Sequence, residues 1–429
     1  MKKFLAFILV CVLSICAFTA CDVKPGGSTD NPATPPEDSQ PATGETDGET
    51  ADETDSDKTD IPSDLPEDEN SLTVSFVEGT DNCWTIDGKT LTFSGITENT
   101  VCSVTGEFNG VIVIDVGDDY KFELELCGVK IYSDEQNPIT VLSGDKVTLT
   151  AKKDAKNYIY DTREALSDDD EISYSSAIYS LCDLEFGGKG ELIVISENNN
   201  GVHTKDDLKV KNLTLSVTCE DNALKGNDSV TVSGGTLTLF SKDDAVHADG
   251  TLTVSGGKIE VTGSYEGLEG TYVVINGGDI TIVSDDDGVN AAATSGTGIT
   301  FQGGEIFIYA GGDGVDSNSK TQYSGILFAG GEITIISTSG GNSSIDTENG
   351  YAYTGGTVLA VCPANGMGSE SMNCKNFSSI ATKTTMNLTK GQTLSVKVGN
   401  DTTISAEMPC GLSALVIYLG SSAAKITAA

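Results

Sequence analysis

The chain has 429 residues, with 25 Lys and Arg against 64 Asp and Glu, for a net charge of −39. That balance excludes electrostatic binding to nucleic acid or to an anionic membrane face. Arg163 is the only arginine, and the cysteines show no CxxC or Cys/His spacing, which argues against a zinc or redox site.

The first predicted element, residues 1–21, is a leader. Lys2-Lys3 precede an apolar run from Phe4 to Phe18, and Phe18-Thr19-Ala20-Cys21 closes it. A basic start, an apolar stretch and small residues before the cut describe a secretory signal. The run is too short to span a bilayer, which takes about twenty apolar residues. Cys at the cut suggests a lipobox, with Cys21 lipidated and the membrane reached through that anchor alone. The expected location is therefore the extracellular cell surface.

Residues 22–70 are Pro, Gly, Ser, Thr, Asp and Glu with hardly an apolar side chain. Such a segment buries too little to offset chain entropy, so a disordered acidic linker is expected. Its like charges extend it into a stalk.

Residues 71–375 carry a repeat. Gly201-Val-His-Thr-Lys-Asp-Asp-Leu-Lys-Val, Ala223-Leu-Lys-Gly-Asn-Asp-Ser-Val-Thr-Val and Ala245-Val-His-Ala-Asp-Gly-Thr-Leu-Thr-Val align without a gap. A second motif recurs in Gly235-Thr-Leu-Thr-Leu, Gly257-Lys-Ile-Glu-Val, Gly278-Asp-Ile-Thr-Ile, Gly304-Glu-Ile-Phe-Ile and Gly331-Glu-Ile-Thr-Ile. Apolar residues alternate with polar ones, as short strands require. Paired glycines supply positive φ at a corner. No helical period interrupts the series. The expectation is an all-β fold: a right-handed single-chain parallel β-helix with coils of about 22 residues, stacked about 4.8 Å apart. Residues 72–150 read as irregular early coils with a cap. The acidic stretch from Tyr158 to Tyr174, with Arg163, reads as a protruding loop. Residues 376–429, including Leu394–Val398 and Ala414–Tyr418, read as a small C-terminal β cap. The folded region's cysteines are even in number, which permits disulfides, with Cys362 and Cys374 the first pair to test.

Ala177-Ile-Tyr-Ser followed by Asp183-Leu, then Gly201-Val-His-Thr-Lys-Asp-Asp-Leu and the recurring Asp-Asp-Gly corner, resemble a family of carbohydrate-binding β-helix domains on surface lipoproteins of Gram-positive anaerobes. The resemblance covers roughly 72–375. It implies binding of cellulose or of acidic sugars such as polygalacturonate, with calcium. It also implies a fold similar to the family 9 pectate lyases.

The residues themselves point the same way. Aligned coils stack Asn200, Asn222, Asp244, Glu266, Asp287 and Asp313 in one column. His203, Lys225, His247, Glu269, Asn290 and Asp316 form a second column, and Asp221, Asp243, Tyr265 and Asp286 a third. Carboxylates that close repel unless protonated or bridged by a cation. Calcium takes six to eight oxygens in a flexible geometry. One expected site gathers Glu266, Glu269, Asp286, Asp287, Asn290, Asp313 and Asp316. The other gathers Asp221, Asn222, Asp243 and Asp244, with Asp228 or Asp249. His203 and His247 read as exposed polar residues of a repeated position.

A lyase needs a base beside calcium, and Lys225 is the candidate. The carboxylate-rich coils are otherwise poor in cations, which favours a non-catalytic binder, expected as a monomer. Trp84 is the only tryptophan, so aromatic stacking on a neutral sugar is disfavoured against an acidic polysaccharide held through calcium. A structural adhesin or spacer with structural calcium is the third reading.

Overall fold

A computed structural model of the chain describes residues 70–164, 175–320, 325–375 and 381–429. The leader with Cys21, the linker up to residue 69 and the end of the acidic stretch lie outside the described residues. No helix among the described residues is long and apolar enough to cross a membrane.

The architecture is a parallel β-solenoid of about eleven turns. Each regular turn lays one strand on each of three ladders. The first ladder runs from Val111–Asp115 through Ile139–Ser143, Ser176–Ser180, Asn200–Thr204 and Leu224–Gly226 to Val315–Ser317. The second runs from Lys146–Ala151 through Leu184–Gly188, Asp207–Val210 and Ser229–Val232 to Tyr351–Tyr353. The third runs from Lys156–Asp161 through Glu191–Ser196, Thr214–Cys219 and Thr236–Phe240 to Thr357–Pro363.

Period-2 alternation decides which side chains go inside. Ile139, Ile178, Val202, Leu224, Val246, Leu268, Val289 and Val315 follow one another inward along the first ladder, all fully buried. Burying a side chain of that size contributes about 1.5–3 kcal/mol relative to leaving it exposed. Phe301 and Phe328 stack with centroids 5.1 Å apart in the same way.

The glycine corners confirm the reading of the paired motif. Gly235, Gly257, Gly278, Gly304 and Gly331 all have φ between +91° and +117°. A side chain at Gly257 would also place its Cβ 2.9 Å from the carbonyl carbon of Gly234 in the turn below. Two independent constraints therefore select glycine there.

The 22-residue period holds from His203 to Lys225, His247 and Glu269. It shortens to 21 residues at Asn290, then lengthens to 26 at Asp316 and 30 at Asp346, each in register with the residue before it. The mean coil is accordingly about 24 residues.

Both ends depart from parallel pairing. At the start, Thr73–Glu78 runs antiparallel to Thr100–Asn109, and Trp84–Asp87 forms a hairpin with Thr90–Ser94. At the far end, Leu412–Leu419 lies antiparallel between Thr357–Pro363 and Ala381–Leu388. A separate three-stranded sheet holds Thr393–Val398, Asp401–Glu407 and Lys425–Ala428. Capping strands of this kind keep open edges from pairing with another chain.

Two expectations need correction. Arg163 is not in a protruding loop. Lys156–Asp161 is a core strand of the third ladder, and Arg163 folds back on it to hold the fully buried Asp161 carboxylate through Nε at 2.7 Å and Nη2 at 2.6 Å. Cys362 packs against Gly368 and Ser371, whereas Cys83 and Cys102 set their sulfurs 3.6 Å apart in the N-terminal cap.

Candidate functional site

The carboxylate corner links the third ladder to the first. Its stacking is held by backbone bonds 3.0 Å long: Gly201, Ala223, Ala245, Gly267 and Gly288 each donate an N–H to the corner carbonyl of the next turn, at Asn222, Asp244, Glu266, Asp287 and Asp313. The residue after the corner must be small. A methyl at Gly288 would overlap Ile308, and one at Gly314 would overlap Ile335. Close approach, not positive φ, therefore explains the glycine in the Asp-Gly-Val motif at these two turns.

Two residues further on, a column points outward from the first ladder. Tyr179, His203, Lys225, His247, Glu269, Asn290, Asp316 and Asp346 sit in consecutive register. The alignment of the coils predicts every member from His203 to Asp316. Asp346 escapes it because its coil is lengthened, which breaks a fixed-period alignment.

The corner and column side chains sort into four groups along the axis. In the first, Asn222 Nδ2 donates to Asp221 Oδ1 at 3.0 Å and to Asp243 Oδ2 at 3.1 Å. Burial and the adjacent Asp221 carboxylate push the Asp243 carboxyl upward. The amide oxygen of Asn222 is buried and has no hydrogen-bond partner among the described residues.

His247 centres the second group. Its Nδ1 faces Asp244 Oδ2 at 2.8 Å and also Glu269 Oε2, and its Nε2 lies 3.0 Å from Asp249 Oδ1. Burial opposes a charged imidazole, but Asp244 and Glu269 outweigh it and raise the ring to about 10. Burial raises Asp244 to about 6 against the pull of His247, while the His247 hydrogen bond lowers Glu269. At neutral pH an imidazolium therefore sits among the carboxylates. One atom each of Asp244, His247 and Glu269 lie within 4.8 Å of one another, the reach of a single metal ion.

In the third group Glu266 accepts both of its bonds from Asn290 Nδ2, at 3.0 and 3.1 Å. Burial raises its carboxyl to about 8, assisted by Glu269, Asp244 and Asp287 and opposed by Asn290. The Asn290 amide oxygen is again buried without a partner among the described residues.

The fourth group is Asp287, Asp313, Asp316 and Asp346. Asp287 Oδ1 accepts the Asp313 N–H at 2.7 Å, and Asp313 Oδ1 accepts the Ser343 N–H. Burial first, then the neighbouring carboxylates, raises Asp287 to about 6 and Asp313 and Asp316 to about 7.

The sequence grouping is thus redrawn by geometry. Glu269 meets His247 as well as standing beside Glu266 and Asn290. Asp286 stands beside both Tyr265 and Asp287, raising each, and Asp228 is not among these contacts. His247 is a central member rather than an exposed polar residue. His203 is buried, with Nε2 2.9 Å from Asn227 Oδ1, and burial lowers it to about 4. Lys225 lies in the column between the two histidines. Chemically, the corner is a row of anionic and amide oxygens whose protonation is balanced near neutral pH. That donor set is of the kind hard divalent cations take.

Residues 87–299 and 250–414 match the family model described as carbohydrate-binding domain-containing protein. A protein of Acetivibrio thermocellus with that same description is 30% identical over 124 residues, which are 28% of this chain and 43% of the relative. The match therefore spans less than half the length of that relative. Among solved structures, the gadolinium derivative of a polysaccharide lyase-like protein from C. thermocellum superimposes with a TM-score of 0.41 at 21% identity, over 59% of this chain and 88% of the other. With most of its solenoid covered by the family model, this chain belongs to the carbohydrate-binding domain family.

Proposed function

We propose that the chain is a cell-surface lipoprotein, anchored through Cys21, whose carboxylate corner binds acidic polysaccharide through calcium without cleaving it. The observation that supports this reading is the row of half-buried carboxylates raised toward neutral pH, beside two buried amide oxygens that accept no hydrogen bond among the described residues. Such oxygens fit a hard cation. Asp287, Asp313 and Asp316 would hold one ion, and Glu266 with the Asn290 amide oxygen another. Asp221, Asn222 and Asp243 form a third candidate set. The ion supplies positive charge to which a uronate carboxylate can coordinate, and this surface otherwise repels such a sugar.

The test is retention of polygalacturonate by the full chain. Binding should require calcium and disappear with chelator. Asp313→Asn together with Asp316→Asn should weaken it at least tenfold. Chelator-resistant binding that these substitutions leave unchanged would end the cation-bridge reading. Lys225 beside Asp243 supports a lyase as second reading, whose sign is unsaturated product absorbing in the ultraviolet and lost in Lys225→Ala. The anchor is tested separately, since Cys21→Ser should leave the membrane fraction.

A further inference from the structure

The second ladder carries a different surface on its first turns. There the outer side forms an open groove of about 470 Å³, reaching from the cap strand ending at Glu78 to Lys211. Lys121 and Lys146 stand in register on adjacent turns. Glu185 lies buried at the base, with Lys146 Nζ 3.1 Å from Oε2 and Lys211 Nζ 2.8 Å from Oε1. Burial alone would raise this carboxyl, but the two lysines hold it below the usual range. An ammonium has three donors, so one bond to Glu185 leaves two on each lysine for a ligand. Glu123 is fixed in the wall by the Thr150 hydroxyl at 2.7 Å.

The floor is kept bare. Gly187 pairs with Thr150, has no positive φ, and a Cβ there would meet nothing within 4 Å. Glycine is not needed for the backbone at this position, so the empty space is groove. The charge here is also local. From Asn212 to Asn373 the lysines are Lys225, Lys242, Lys258 and Lys320, spread among many carboxylates. Lys121, Lys146 and Lys211 converge on the groove and balance its three glutamates, Glu78, Glu123 and Glu185, which leaves it formally neutral in a chain of net charge −39. Successive turns repeat every about 4.8 Å, comparable to one pyranose unit of an extended chain.

We propose that this groove is a second glycan subsite that takes a short uronate-bearing oligosaccharide without metal, its carboxylates on Lys121, Lys146 and Lys211. The sugar hydroxyls fall to Glu123 and Thr148. The inference rests on the family's carbohydrate ligand and is independent of calcium at the corner.

The probe is an oligogalacturonate titrated into the full chain in excess chelator. Binding should persist, weaken with monovalent salt as screened attraction does, and fall at least tenfold in Gly187→Trp, whose side chain fills the groove. Lys121→Glu should show the same loss, and with that side chain 56% exposed the fold is not at stake. Lys258→Glu, on the third ladder, should bind as the parent does. Absence of binding in chelator would overturn the subsite while leaving a calcium-dependent corner intact. So would unchanged binding by both groove variants, or equal displacement by an acidic peptide. Chelator-resistant binding lost in the groove variants would support the subsite even if the corner proved inert.

Discussion

Calcium added at pH 8 should raise the melting temperature of the full chain, and chelator should return it to the metal-free value. The size follows from mass action: an ion at a hundredfold excess over its Kd adds about 2.7 kcal/mol per site. The metal-free protein should moreover lose stability as pH rises. Asp244 and Asp287 titrate at about 6, Asp313 and Asp316 at about 7 and Glu266 at about 8, against 3.8 for Asp and 4.5 for Glu in the open chain. Between those limits the folded state holds more protons than the unfolded state, so stability falls with rising pH. The contribution of these groups is greatest below about pH 4 and is gone above about pH 8. His247 acts in the same direction: its contribution is complete below 6.5 and lost as pH climbs through about 10. On the proposed reading calcium would take the place of those protons and should flatten the slope. Asp313→Asn with Asp316→Asn should make the chelated protein more stable at pH 8, because it removes charge that the fold cannot solvate. Melting curves that overlay with and without calcium, at pH 5.5 and again at pH 8.5, would remove the cation from the account.

Arg163→Ala should be the most damaging single change on the third ladder. The Asp161 side chain is 0% exposed and the Arg163 side chain 8%. Asp161 also accepts bonds from Ser196 Oγ at 3.2 Å and Asn199 Nδ2 at 3.4 Å, so it cannot turn out to water. Removing one partner of a buried pair leaves an uncompensated charge and costs about 3–5 kcal/mol. Changing both, as Arg163→Met with Asp161→Asn, should recover much of that loss. Denaturant midpoints of the three proteins measure it directly, and a loss below about 1 kcal/mol for Arg163→Ala would contradict the assignment.

The two residues differ in how far their roles can be read from the chain. The stacking of Asp287 over Asp313 is legible because it rests on period-2 alternation and on glycines at fixed offsets, both local features. Arg163 is not, because a lone cation in an acidic stretch looks solvated until the fold brings a buried carboxylate against it. The same limit applies within the corner. The columns are in register, but alignment does not show that Glu269 also meets His247, since register fixes which Cα atoms are adjacent and side-chain reach decides which atoms meet. His247 carries a signal that alignment alone leaves unused: it is the one imidazole flanked in its own coil by Asp244 and Asp249 and in the next by Glu269. The lysine groove lies in the irregular first coils, where no fixed spacing links Lys121 and Lys146 to Lys211.

The column of corner glycines has a consequence for how such a protein can change over time. With Gly257 lying on the backbone of Gly234, there is no room for a turn that is out of step with its neighbours. A partial turn would set a side chain where only backbone fits. Surplus residues must leave the stack between strands, since Asp316 and Asp346 stay in register across a longer turn. Growth or shortening must therefore proceed by whole turns, each stacking on the last through nearest-neighbour contacts alone. Each turn gained by duplication brings one more corner oxygen group with it. On the proposed reading, the capacity of the surface for ions, and with it the length of sugar that can be held, would be a whole number set by gene duplication rather than a quantity tuned by point mutation.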